Sequence, residues 1–157
     1  MRRTMAAAGV VLLLGACGSG RDETDSVRAR SALDLGEKAT FPDGETVAVH
    51  GYEAGVRPDA TLGGAPDATG SFSVVDVEAC AGTAGGATAE AGRFRLELPD
   101  GSQVAPASVA AEEPSLRTPG ASGECNRGTV TFEVGPGARP EAVAYLAAGT
   151  TIRWRVT

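Results

Sequence analysis

From Arg93 to Leu98 charged and apolar residues take strict turns, with Arg93, Arg95 and Glu97 alternating with Phe94, Leu96 and Leu98. Successive side chains of a strand point to opposite faces, so this stretch buries one face and solvates the other only as β structure. The pattern recurs in Thr46–Glu53, in Thr129–Val134 and in Thr151–Val156, where Ile152, Trp154 and Val156 point inward and Arg153 and Arg155 outward. Ser71–Cys80 is apolar on both faces at first and alternates later, as a central strand does. Turn chemistry separates these runs: Pro42-Asp43-Gly44, Pro99-Asp100-Gly101 and the Gly135–Pro140 stretch. Gly51 inside its run signals a bulge. Phe41, Tyr52, Phe72, Phe94, Phe132, Tyr145 and Trp154 each fall in an expected strand. No helical period is long enough to cross a parallel sheet. The expectation is an all-β antiparallel sandwich of about seven strands, with a closed barrel as the alternative.

The first residues follow a different logic. Arg2 and Arg3 precede a short apolar run through Ala16 that includes Leu12, Leu13 and Leu14. That is the layout of a secretory signal peptide, and it is shorter than the roughly 20 residues a spanning helix needs. The run ends in Leu14-Gly15-Ala16-Cys17, which resembles the bacterial lipobox. The resemblance implies cleavage after residue 16 and a diacylglyceryl group on the Cys17 thiol. Two acyl chains at about 0.8 kcal/mol per buried methylene give stable anchoring where one does not. Residues 17–36 carry Gly-Ser-Gly and mixed charges without an apolar period, as a flexible tether would. Residues 37–157 are then the sandwich domain.

Removing residues 1–16 leaves about 140 residues, the size of one domain with a tether. It also deletes two arginines, so the net charge moves from −6 to −8. An acidic chain is a poor match for nucleic acid or anionic lipid, which leaves the lipid on Cys17 to hold it at a membrane. With Cys17 assigned, Cys80 and Cys125 remain in an oxidising compartment with no competing thiol, and are expected to pair. The placement, at the end of one central strand and just before another, suggests a bridge that fastens distant strands. A zinc site would need more ligands, and His50 is the one histidine.

Three stretches carry a family resemblance: Phe72–Gly82, Phe94–Gly101, and Gly123–Val134, completed by Val143–Leu146 and Ile152–Trp154. In that order they resemble a family of Gram-positive lipoproteins with an immunoglobulin-like sandwich, an architecture shared by a small secreted immunogenic protein of mycobacteria. The resemblance runs from about Glu37 to Thr157. It implies a fold and a place at the cell surface, and it brings no catalytic residues with it.

Catalytic chemistry finds little support in the residues. The serines lack the Gly-x-Ser-x-Gly elbow of a hydrolase, and His50 reads as a partly exposed structural histidine. Both methionines, Met1 and Met5, leave with the signal peptide, so copper binding lacks thioethers. Asp76 and Glu78 share one strand face and are weak candidates for a calcium site or an acid/base pair. The ordinary alternative pairs them with Arg93 and Arg95 across strands. Arg153 and Arg155 read as a solvated pair. The chain is therefore expected to be a non-enzymatic lipoprotein on the outer face of the cytoplasmic membrane, without a cofactor. Its partner would be an envelope protein or cell-wall component, bound through loops 54–70 and 81–92. The alternative function is a small-solute or calcium-binding sensor using Asp76 and Glu78.

Overall fold

The computed structural model describes residues 32–56, 71–83, 90–108, 114–147 and 149–156. The expected signal peptide, Cys17 and most of the tether lie outside the described residues, as do positions 57–70 and 84–89 of the two expected binding loops.

Among the described residues eight strands form, in two antiparallel sheets of four. The first sheet has the order β1 (Lys38–Thr40), β2 (Thr46–Val56), β3 (Ser71–Cys80), β6 (Cys125–Val134). The second has the order β5 (Gln103–Val104), β4 (Phe94–Glu97), β7 (Ala142–Ala147), β8 (Thr150–Arg155). The sheets are separate four-stranded layers, so the sandwich is realised and the barrel is not. Phe41 lies one residue past β1, in the turn, and the other six aromatics are in strands as expected. One 3₁₀ turn, Ala91–Arg93, leads into β4.

The alternation seen in the sequence is what makes the core. Val47, Val49, Val75, Val77, Val130 and Phe132 of the first sheet face Phe94, Leu96, Val143, Tyr145, Ile152 and Trp154 of the second, all buried. Fully burying such a side chain contributes roughly 1.5–3 kcal/mol, so this interface is the main source of stability. Trp154 also donates its indole N–H to the Glu37 carbonyl at 2.8 Å, which removes the cost of burying that donor. On the outer side of β3, Phe72 and Val74 form a second small cluster against Val56 and Ala107. That explains why β3 is apolar on both faces at its start.

The body begins before residue 37. Leu33 is buried and lies parallel to β8: it donates to the Arg153 carbonyl at 2.7 Å and accepts from the Arg155 amide at 2.9 Å. Gly36 N–H then reaches Val49 of the first sheet at 2.7 Å, so this strap ties the two layers together. A leucine offered a place in the core joins it even where flanking residues are polar.

Cys80 and Cys125 are bonded, as expected. The bridge does not reach between distant strands. β3 and β6 are neighbours, Cys80 is the direct cross-strand partner of Cys125, and their Cα atoms are 3.9 Å apart although 45 positions separate them in sequence. The same ladder sets Glu78 against Arg127 and Asp76 against Thr129.

Candidate functional site

The outer face of β2, β3 and β6 carries the candidate site. β2 holds Val49 opposite Val77 and then slips, so that Gly51 rather than His50 stands opposite Asp76. This is the bulge that Gly51 signalled, and it swings His50 toward Glu78. Because Gly51 has no side chain, the outer face is hollow there: among the described residues an added Cβ would meet only the Asp76 Cβ, at 3.8 Å. The result is a groove of about 560 Å³ bounded by Gly51, Val74, Asp76, Arg127, Thr129 and Pro114.

Its floor is a two-point ion pair. Arg127 Nε donates to Asp76 Oδ1 at 3.0 Å and Nη2 to Oδ2 at 2.5 Å. A planar guanidinium fork and a carboxylate match in this way with two parallel bonds. The Arg127 hydrogen bond, together with its charge, holds the Asp76 carboxyl below its ordinary range despite some desolvation. Beside it, Lys38 donates to Glu78 at 3.1 Å, and this bond above all lowers the Glu78 pKa. His50 Nε2 lies 3.6 Å from the other Glu78 oxygen, too far for a hydrogen bond, and has no hydrogen-bond partner among the described residues.

Asp76 and Glu78 thus share a face as expected, with different partners from those expected. Arg93 and Arg95 belong to the second sheet's side of the molecule, where Arg95 donates to the Gly92 and Phe94 carbonyls. The partners are Arg127 and Lys38, which the sequence did not single out. Arg153 and Arg155 are also engaged: Arg153 reaches Glu97 at 2.7 Å, over the small residues Ala142 and Ala144 of β7, and Arg155 reaches Asp34 at 2.5 Å.

Each carboxylate is held by a cation on its own sheet. A calcium ion asks for six to eight oxygens, and it would have to displace Arg127 and Lys38 to reach these two. Among the described residues no group of three or more His, Cys, Asp or Glu side chains could hold a metal ion. Asp76, ionised by its arginine, is not a proton donor near neutral pH. What the floor offers instead is a fixed pattern of hydrogen-bond donors and acceptors. Among the described residues no helix is long and apolar enough to cross a membrane.

No protein-family model matches the chain, and no curated protein sequence does. Among solved structures it is similar to the 1.5 Å crystal structure of MPT63, a secreted protein from Mycobacterium tuberculosis. The TM-score is 0.60 and the identity 19%, over 78% of this chain and 94% of that one. The likeness is one of fold, and at that level it agrees with the mycobacterial architecture that the sequence resembles.

Proposed function

We propose that this chain is a non-enzymatic extracellular lipoprotein, anchored in the cytoplasmic membrane through Cys17, that binds a component of the cell envelope. The observation that carries the binding role is the groove: a preformed hollow with paired polar groups on its floor, built on rigid strands of a bridged sandwich. The binding surface is thereby moved from the loops to the outer face of β2, β3 and β6. Supporting the location are the Leu14-Gly15-Ala16-Cys17 sequence, a disulfide suited to an oxidising compartment, and a fold neighbour described as a secreted protein.

Two experiments test the two halves. In cells fed an alkynyl fatty acid, the wild-type protein is expected to take up label and sediment with membranes, while Cys17→Ser stays unlabelled and leaves the membrane fraction. Label on the serine variant, or none on the wild type, removes the anchor. A photo-crosslinker placed at Glu53, beside the groove, is expected to trap a discrete envelope species that one at Arg95, on the other sheet, does not. Equal trapping at both positions removes the groove as the binding surface.

A further inference from the structure

We propose that the groove takes an uncharged, hydroxyl-rich ligand, a neutral stretch of polysaccharide, gripped by the Asp76–Arg127 pair. This deepens the envelope-binding role and rests on it. The first argument is charge. Asp76 and Arg127 neutralise one another through two hydrogen bonds, and Glu78 is met by Lys38, so the floor is neutral; the further charge among the described lining residues is Glu53, an exposed carboxylate at the rim that disfavours an anion. An ionic ligand on the floor would have to break a charge-assisted, two-point pair to gain one of its own.

The second argument is the pattern of donors and acceptors. Arg127 uses Nε and Nη2 on Asp76, which leaves Nη1 with two N–H groups; each Asp76 oxygen has accepted one bond and keeps a lone pair. Both side chains remain partly open to solvent, Asp76 at 36% and Arg127 at 58%. A group that meets both must donate and accept at once. A hydroxyl does, and a vicinal diol spans the two centres, donating to the carboxylate while accepting from the guanidinium. Around them Val74, Pro114 and the bare Cα of Gly51 present C–H surface, which suits the apolar face of a sugar ring. A volume of about 560 Å³ falls inside the ordinary span of small-ligand sites, about 300–1,000 Å³.

A peptide also donates and accepts, and on the β6 side of the groove the topology argues against it. The common way for an extended peptide to bind a sheet is to add a strand at an open edge. Beside this groove the β6 edge is already used: Ala107 donates to Thr131 O at 2.8 Å, Leu116 to Thr129 O at 2.9 Å, and Thr129 to Pro114 O at 2.8 Å. On that side the chain's own segments at Ala107 and Pro114–Leu116 occupy the place a guest strand would take; on the other side β1 pairs only with Thr46–Ala48, and the neutral peptide in the titration below tests the β2 edge beyond them.

The test is an NMR titration of the full chain, purified in detergent, with maltotetraose, chitotetraose and mannotetraose, with tetragalacturonate as an acidic saccharide and a Gly-Ser octapeptide as a neutral peptide. At least one neutral saccharide is expected to shift the amides of Gly51, Asp76 and Thr129 saturably. Gly51→Leu fills the groove without backbone strain, and Arg127→Met removes the donor; each is expected to weaken binding at least tenfold with the melting temperature held near wild type. The proposal is overturned if no neutral saccharide shifts these amides, if only tetragalacturonate or the peptide does, or if Gly51→Leu binds as the wild type does. Should that happen while Glu53 still traps its envelope species, the binding role stands and only the ligand class falls.

Discussion

Glu45 places a carboxyl group inside the sandwich. It is 4% exposed and accepts a hydrogen bond from the Tyr145 hydroxyl at 2.8 Å, across a span of 100 positions in the chain. Tyr145 is itself fixed by ring contacts to Phe94 at 4.9 Å and Phe41 at 5.8 Å. Burial, the dominant influence, raises the Glu45 pKa; the Tyr145 bond works the other way, and nearby Asp43 adds to the rise while Arg93 opposes it. The folded state therefore keeps this proton to higher pH than the unfolded chain does, and ionising it costs stability as pH rises past the ordinary value of about 4.3. Glu45→Gln keeps the acceptor and removes the titration. Its stability relative to wild type, from urea unfolding, is expected to increase between pH 4 and pH 7; a difference that does not change with pH would contradict the buried carboxyl. Asp76 has the opposite sign: its contribution is present above the ordinary carboxylate value and fades as pH falls through the lowered one, and its exposure keeps it small. None of this was legible in the sequence. Glu45 follows a turn and looks no different from Glu37; only the fold brings Tyr145 and the Gly82 backbone onto it.

Among the elements, β6 was half legible. Thr129–Val134 announces itself by alternation, while Asn126-Arg127-Gly128 hides the first half behind a polar residue, a charge and a glycine. The strand nevertheless starts at Cys125, and the signal that could have found it was the cysteine pair. Once Cys80 and Cys125 are set opposite each other in an antiparallel ladder, counting inward brings Glu78 to Arg127 and Asp76 to Thr129. A bridge between strands far apart, as the sequence suggests, gives no such register, and Arg127 then stands out from nothing around it. Gly128 has its own reason to be glycine. A Cβ there would stand 2.6 Å from the backbone of Ser115 and Leu116, the segment that covers the β6 edge. Gly128→Ala is expected to destabilise by about 1–3 kcal/mol, as overpacking does, whereas Gly92→Ala, with no atom of the described residues within 4 Å of the new Cβ, should change stability little. Equal effects in thermal unfolding would show that the edge segment is not held against β6.

At the scale of the whole molecule, the sandwich was open to reading because burial on one face imposes a period of two, and turn residues mark where each strand stops. The strap at Leu33 was hidden, since one leucine among polar residues makes no period. The pairing of strands into sheets depends on contacts that no local pattern carries. The disulfide does supply one such contact, and its energetic weight follows from the loop it closes. For about 46 residues the chain-entropy relation gives roughly 4 kcal/mol, less any native distortion. Replacing both cysteines by serine is expected to lower the denaturant midpoint accordingly; an unchanged midpoint would mean that closing this loop does not stabilise the fold. The same bond makes a covalent ring of residues 80–125, and β4 and β5, half of the second sheet, are strung along it. A protease that nicks the backbone anywhere from Ala81 to Glu124 therefore frees no fragment. The two pieces stay joined at sulfur, with β1 to β3 on one side of the cut and β6 to β8 on the other, and the nick becomes visible as separate peptides only after a thiol is added.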